Sequence, residues 1–269
     1  MQLAHERLGS GPPLVLLHGI GHRRQAWNAV ASLLATDRKL ILVDLPGHGE
    51  SPPLRLAGRA PVQAMAEEVL GFFDSQGLDR PHVAGNSLGG ALALIAAAQG
   101  RAASVTGLSP AGFWQHDRQF RYAKAIFKVM QAVGAAIQPA APLLTRSTAG
   151  RALMYATIVH KPSRLSPEQA LGDTAAFAAA RDAINAVLSS LAVFTASIPG
   201  DVPVTIAWGA HDRLLPPGQA RVARQRLPQA RFVSLPGCGH VPMTDDPALV
   251  AKVLLDGSTT SARETGTPA

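Results

Sequence analysis

The sequence predicts an α/β protein: a mostly parallel, doubly wound sheet of about seven to eight strands, interrupted by an all-helical insertion. Three observations carry this. Short apolar runs bounded by turn residues alternate with helical patterns up to about residue 112. The alternation then stops, and residues 113–198 show helical patterns only. It resumes over residues 199–256. A strand–helix–strand order of this kind implies right-handed crossovers and parallel pairing.

The elements follow in order. "PPLVLLHG" (Pro12 to Gly19) is a continuous apolar run between prolines and a glycine, as in a strand buried on both faces. "WNAVASLLAT" reads as a helix and "KLILVDLPG" as a second buried strand. In "VQAMAEEVLGFFDSQG" the residues Met65, Val69, Phe72 and Phe73 recur on one side of a helix. "HVAGN" is a third strand, Leu88 to Gln99 a helix, and "ASVTGLSP" a fourth strand. Within the insertion Phe120, Phe127, Met130 and Ile137 fall near one helical face before a break at "QPAAP". "SPEQ" (Ser166 to Gln169) offers a capping serine, a proline at the first helical position and a glutamine three on, which is a helix start. One further alanine-rich helix is expected to carry Phe177, Ile184, Leu188 and Leu191. "VPVTIAWG" and "ARFVSLPG" are the returning strands, with a helix at roughly Pro217 to Arg226 between them and a last helix after Asp246. The tail 257–269 has no apolar pattern and is expected to be disordered.

Composition narrows the class. The first residues mix charges where a signal peptide needs an apolar segment, and no apolar run approaches the ~18 residues of a membrane span. A cytoplasmic protein with no membrane partner is the expectation. Cys238 is the single cysteine, so neither an intrachain disulfide nor a cysteine zinc cluster can form. The net charge of +7 comes from scattered arginines without interleaved aromatics, which argues against nucleic acid. No phosphate-binding loop or metal-ligand cluster is present, so neither cofactor nor metal is expected. The expected partner is a small-molecule substrate; the choice between monomer and homodimer stays open.

The chemistry starts at "HVAGNSLGGALAL". Gly85, Ser87 and Gly89 give G-x-S-x-G, the spacing of a serine on a sharp strand-to-helix turn. A serine hydroxyl needs a base to take its proton, and the base needs an acid to hold its tautomer. All three must lie where the strands end at their carboxyl side. Asp212 follows "VPVTIAWGAHD" and His240 follows "ARFVSLPGCGH".

The chain thereby resembles the α/β-hydrolase-fold enzymes in five separated blocks: "HGIG", "DLPGHGES", "GNSLGG", "WGAHD" and "GCGHVP". They cover nearly the whole chain except the insertion. The resemblance implies Ser87 as nucleophile, Asp212 as acid and His240 as base, with the insertion as a helical cap over the pocket. It implies an oxyanion hole of two backbone N–H groups, Leu88 after the nucleophile and Ile20 after the first strand, with Gly21 as the rival for the second. His18 is expected to brace the oxyanion loop, His48 and Cys238 to be structural, and the H-x4-D match of His240 and Asp245 to be accidental.

Ser87 argues against relatives with an aspartate nucleophile. The expected activity is carboxylic-ester hydrolysis through an acyl-enzyme, on a small to medium, largely apolar substrate. Carbon–carbon bond hydrolases, thioesterases, lactonases and peroxyacid-forming relatives use the same triad and remain alternatives. A ligand receptor with an intact triad is the alternative outside enzymes. His22, Phe120, Phe127, Met130, Phe177 and Leu188 are the candidate substrate contacts. "GHRR" (Gly21 to Arg24) allows two readings: solvent-exposed surface charges, or a cluster at the pocket mouth in which His22, Arg23 or Arg24 pairs with a substrate anion.

Overall fold

The computed structural model describes residues 2–259. Its sheet contains β1 (His5–Leu8), β2 (Pro13–Leu17), β3 (Lys39–Val43), β4 (His82–Asn86), β5 (Ser104–Leu108), β6 (Val204–Gly209) and β7 (Arg231–Leu235). Their spatial order is β1-β3-β2-β4-β5-β6-β7; β1 runs antiparallel to β3 and the other pairs are parallel.

Helices α1 (Asn28–Leu34), α2 (Pro61–Ser75) and α3 (Leu88–Ala98) follow β2, β3 and β4 in turn. Between β5 and β6 run α4 (Asp117–Ile137), α5 (Ala141–Leu144), α6 (Thr148–Tyr155), α7 (Pro167–Ala179) and α8 (Arg181–Ser190). α9 (Gly218–Arg226) joins β6 to β7, and α10 (Pro242–Asp245) and α11 (Pro247–Gly257) complete the described chain. Among the described residues no helix is long and apolar enough to cross a membrane.

The continuous apolar runs are explained by cores on both faces. Successive side chains of a strand point to opposite faces. Val15, Leu17, Ile41 and Val43 pack with Met65, Val69 and Phe72 of α2 and Leu92 of α3 on one face. Leu14, Leu16, Leu40 and Leu42 pack with Trp27 just before α1, Val30 and Leu34 of α1, and Val250 and Leu254 of α11 on the other. Every strand residue from Leu14 to Leu17 and from Leu40 to Val43 is buried, so alternation of polar and apolar residues has no place there.

Two elements depart from the sequence reading. β1 was not expected: "HERL" is a short edge strand whose residues are only half-buried or exposed, so no apolar run marks it. The single alanine-rich helix is two. α7 carries Phe177, α8 carries Ile184 and Leu188, and Leu191 lies just past α8. The chain leaves the helix at Ala180 (φ −81°, ψ 10°), inside "AFAAARDA", where no glycine or proline signals a break. The tail expected from residue 257 falls outside the described residues from 260 on, and Gly257 itself closes α11.

The helix starts read from the sequence are present. The Ser166 hydroxyl accepts from the Gln169 N–H at 3.1 Å, and the Asp246 carboxylate from the Leu249 N–H at 3.0 Å. Each satisfies a donor that the first turn of a helix leaves unpaired.

Candidate active site

In the sheet order the chain turns away in opposite directions from β2 and β4, which makes their adjacent carboxyl ends the topological switch point. Leu17 pairs with Gly85, so the loop after β2 and the turn after β4 emerge side by side. Ser87 occupies that turn with φ 54° and ψ −114°, a strained backbone for a residue with a Cβ. The turn is locked by its own hydrogen bonds. The Ser87 N–H donates to the Leu108 carbonyl at 3.0 Å, and the Ser87 carbonyl accepts from the N–H groups of Ala91 and Ala111, each at 3.0 Å. The two glycines of the motif have a packing reason: a Cβ on Gly85 would collide with the Gly89 backbone, and one on Gly89 with the Leu17 carbonyl. Strand, turn and helix can close this tightly only without those side chains.

His240 and Asp212 follow β7 and β6. The His240 Nδ1–H donates to Asp212 Oδ2 at 2.8 Å, and both side chains are almost wholly buried. Asp212 Oδ1 accepts from the N–H groups of Leu214 at 3.0 Å and Leu215 at 2.8 Å, which fixes the carboxylate plane. With Nδ1 carrying the proton, the lone pair of the neutral ring lies on Nε2. Ser87 and His240 line one cavity, but Ser87 Oγ and His240 Nε2 are not hydrogen-bonded to each other; such contacts often tighten only when substrate binds. His211, beside the acid, faces elsewhere and stacks on His160 with ring centroids 4.0 Å apart.

Two residues that hold His240 in place were given no role by the sequence reading. The Asn86 side-chain amide donates to the carbonyls of His240 (2.8 Å) and Leu108 (3.1 Å), tying the histidine loop to the elbow. Asp245, fully buried, accepts from the N–H groups of Gly239 (2.7 Å), Lys161 (2.5 Å) and His160 (3.1 Å). Its carboxylate therefore clamps the loop carrying His240 to the segment after α6. Asp245 is a structural carboxylate bonded to backbone N–H groups, not a partner of the His240 ring. Cys238 is buried in the same loop, and burial together with the neighbouring Asp245 pushes its thiol up to about 11. It is an inert filler.

The loop after β2 rests directly on the elbow, since a Cβ on Gly19 would stand 3.4 Å from that of Ser87. His18 braces it. Its Nδ1–H donates to the Gly19 carbonyl at 2.8 Å and its Nε2 accepts from the Leu45 N–H at 3.0 Å. Both roles require the neutral ring, so the 3.9 Å separation from Asp44 is not an ion pair. Burial and then the neighbouring His48 hold His18 well below the usual imidazole range, and burial lowers His48 to about 4. Among the described residues no loop or cap hydrogen bond uses the N–H of Ile20 or Leu88.

Two cavities meet at Ser87. The larger, about 380 Å³, takes in His22, Phe127, Met130 and Phe177 from the expected contacts, and is otherwise mostly apolar. Val129 and Leu153, more than half exposed, mark where it reaches the surface. Phe120 and Leu188 do not line it. They lie with Trp114 on a second cavity of about 20 Å³, which shares Ile20, Ser87 and Phe127 with the first.

Neither arginine of "GHRR" lines either of these two cavities. Arg24 pairs with the buried Asp44 and with Glu50, and Arg23 Nε donates to Asp173 Oδ1 of α7 at 2.8 Å. The anion-pairing reading of Arg23 and Arg24 is therefore corrected, and so is the surface reading: both are consumed by carboxylates of the chain itself.

Comparison with known proteins agrees with this architecture. The dihydrolipoyllysine-residue acetyltransferase component of the acetoin cleaving system of Pseudomonas putida is 30% identical over 243 residues, 86% of this chain. The chain spans only 59% of the length of that relative. Lipase 3 of a Moraxella species is 28% identical over 265 residues, 92% of this chain and 78% of the lipase. Among solved structures, a thermophilic esterase from Thermogutta terrifontis has a TM-score of 0.69 over 94% of this chain and 92% of its own, at 22% identity, a likeness of fold. The sequence model of the Alpha/beta hydrolase family matches residues 14–253, nearly the whole sheet apart from β1, and the chain belongs to that family.

Proposed function

We propose that this chain is a serine hydrolase that cleaves a carboxylic ester through an acyl-enzyme. The observation that supports it most is the 2.8 Å bond from His240 Nδ1–H to Asp212, with Ser87 held at a strained turn on the same cavity. In this reading Ser87 Oγ attacks the ester carbonyl while His240 Nε2 takes the hydroxyl proton. The buried Asp212 stabilises the imidazolium that results. Negative charge develops on the carbonyl oxygen, and the N–H groups of Leu88 and Ile20 are the donors assigned to it. Collapse of the tetrahedral intermediate passes the proton from His240 to the departing alkoxide and leaves the acyl group on Ser87. Water then repeats the sequence with His240 as base, releasing the acid.

The helices between β5 and β6 serve in this reading as the lid, and the two cavities divide the substrate. A water-sized group needs about 10–15 Å³ by this measure, so the cavity of about 20 Å³ admits a group of methyl size. The cavity of about 380 Å³ takes the larger, apolar portion. The test is turnover of a simple aryl ester by the purified protein and by its Ser87→Ala variant. Loss of activity by about 10⁴-fold or more in the variant is expected. Retained activity assigns the chemistry to another residue.

A further inference from the structure

Besides Ser87, His240, Asn86 and Thr157, the polar residues lining the larger cavity are His22 of the loop after β2, Tyr155 of α6 and Asp173 and Thr174 of α7. Tyr155 and Thr174 are already satisfied. The Tyr155 hydroxyl donates to the Ala170 carbonyl at 2.6 Å and lies 2.8 Å from Thr174 Oγ1, which reaches the same carbonyl at 2.9 Å. Asp173 and His22 are not. Asp173 is only 4% exposed; its Oδ1 accepts from Arg23, while its Oδ2 has no hydrogen-bond partner among the described residues. His22 Nδ1 likewise has none, and its Nε2 stands 3.8 Å from Asp173 Oδ2, too far for a direct bond. A Cβ on Gly172 would strike the Arg23 guanidinium, so the Arg23 side chain lies directly against α7 beside Asp173.

A buried carboxylate oxygen without a donor is costly, and a fold retains one where something supplies the donor. Asp173 and Arg23 together are charge-neutral, so the free oxygen suits a neutral donor; a substrate carboxylate would be repelled. A hydroxyl fits this pair of atoms because it can donate to Asp173 and accept from an imidazole N–H. We infer that Asp173 and His22 form a polar subsite that binds a hydroxyl on the far portion of an otherwise apolar ester. This rests on the ester-hydrolase reading for what the ligand is, but not for its binding.

The experiment measures dissociation constants by calorimetry on the full-length Ser87→Ala variant. The ligands are matched methyl esters of graded chain length, with and without a terminal hydroxyl. In an apolar pocket without the subsite the hydroxyl lowers affinity, because its hydration is lost uncompensated. With the subsite, the hydroxylated ester binds at least about tenfold tighter at one chain length. Adding Asp173→Asn or His22→Leu brings the ratio toward one, with melting temperatures recorded beside it. A parent ratio at or below one at every length, or a ratio unchanged in both variants, overturns the subsite. Turnover of esters by the native protein is read separately. Hydroxyl-dependent binding without turnover contradicts ester hydrolysis and leaves the subsite standing; turnover without hydroxyl preference does the reverse.

Discussion

At the scale of single residues, the site depends on which groups can change partners. Asp212 cannot: both its oxygens are engaged, one by two backbone N–H groups and one by His240. An Asp212→Asn substitution keeps the shape but presents an amide where the ring must donate, which favours the wrong tautomer. The expected result is a fall in kcat/KM of about 10³–10⁴-fold with a near-native melting temperature. Steady-state kinetics on an aryl ester check it, and parent-like activity assigns the orientation of His240 to another group. The strand-end positions of Ser87, Asp212 and His240, the triad proposed here, were legible in the sequence because each stands just past an apolar run, close to glycines that mark a turn. Asn86, Asp245 and Asp173 were not. Asp245 bonds a segment about 85 residues away and Asp173 bonds Arg23 across 150, and no local pattern records such a pairing.

At the scale of elements, the contacts that matter join the helices between β5 and β6 to the two loops carrying the site. Asp245 is the firmest of these joints. Replacing it by alanine leaves three N–H groups, one buried and two part-buried, without their acceptor, and the expected loss is about 2–4 kcal/mol of stability, read from urea unfolding. A loss below about 0.5 kcal/mol, the range of an ordinary surface change, contradicts the clamp. Leu188 of α8 tests the division of the substrate. Leu188→Ala enlarges the small cavity beside Ser87, and kcat/KM is expected to rise for esters with bulk on both sides of the carbonyl relative to those with one small group. An unchanged ratio removes that cavity from the substrate site. The break at Ala180, which puts Leu188 on a separate helix from Phe177, was hidden because alanine favours helix on both sides of it.

At the scale of the whole molecule, the inner sheet was readable because strands buried on both faces leave unbroken apolar runs; of the two half-exposed edge strands, β7 was still read from "ARFVSLPG" and β1 escaped. Its interior also sets a pH dependence. His48 and His18 are buried neutral, with folded values below the ordinary imidazole value of 6.5. The unfolded chain then binds more protons than the folded one below that value, so stability is full above pH 6.5 and falls as pH drops toward 4. For His48 the loss reaches about 3 kcal/mol by pH 4. Urea midpoints should be lower at pH 5 than at pH 7, and His48→Asn should shrink the difference; equal midpoints at both pH values contradict the neutral buried ring. The proposed chemistry converges on one atom, Ser87 Oγ, and the most direct measurement is covalent labelling of the native protein by an organophosphonate, mapped by peptide mass spectrometry. One label per chain, on Ser87 alone, with activity lost in proportion, is the expected result. A label on any other residue, or full activity in the labelled protein, contradicts Ser87 as the nucleophile.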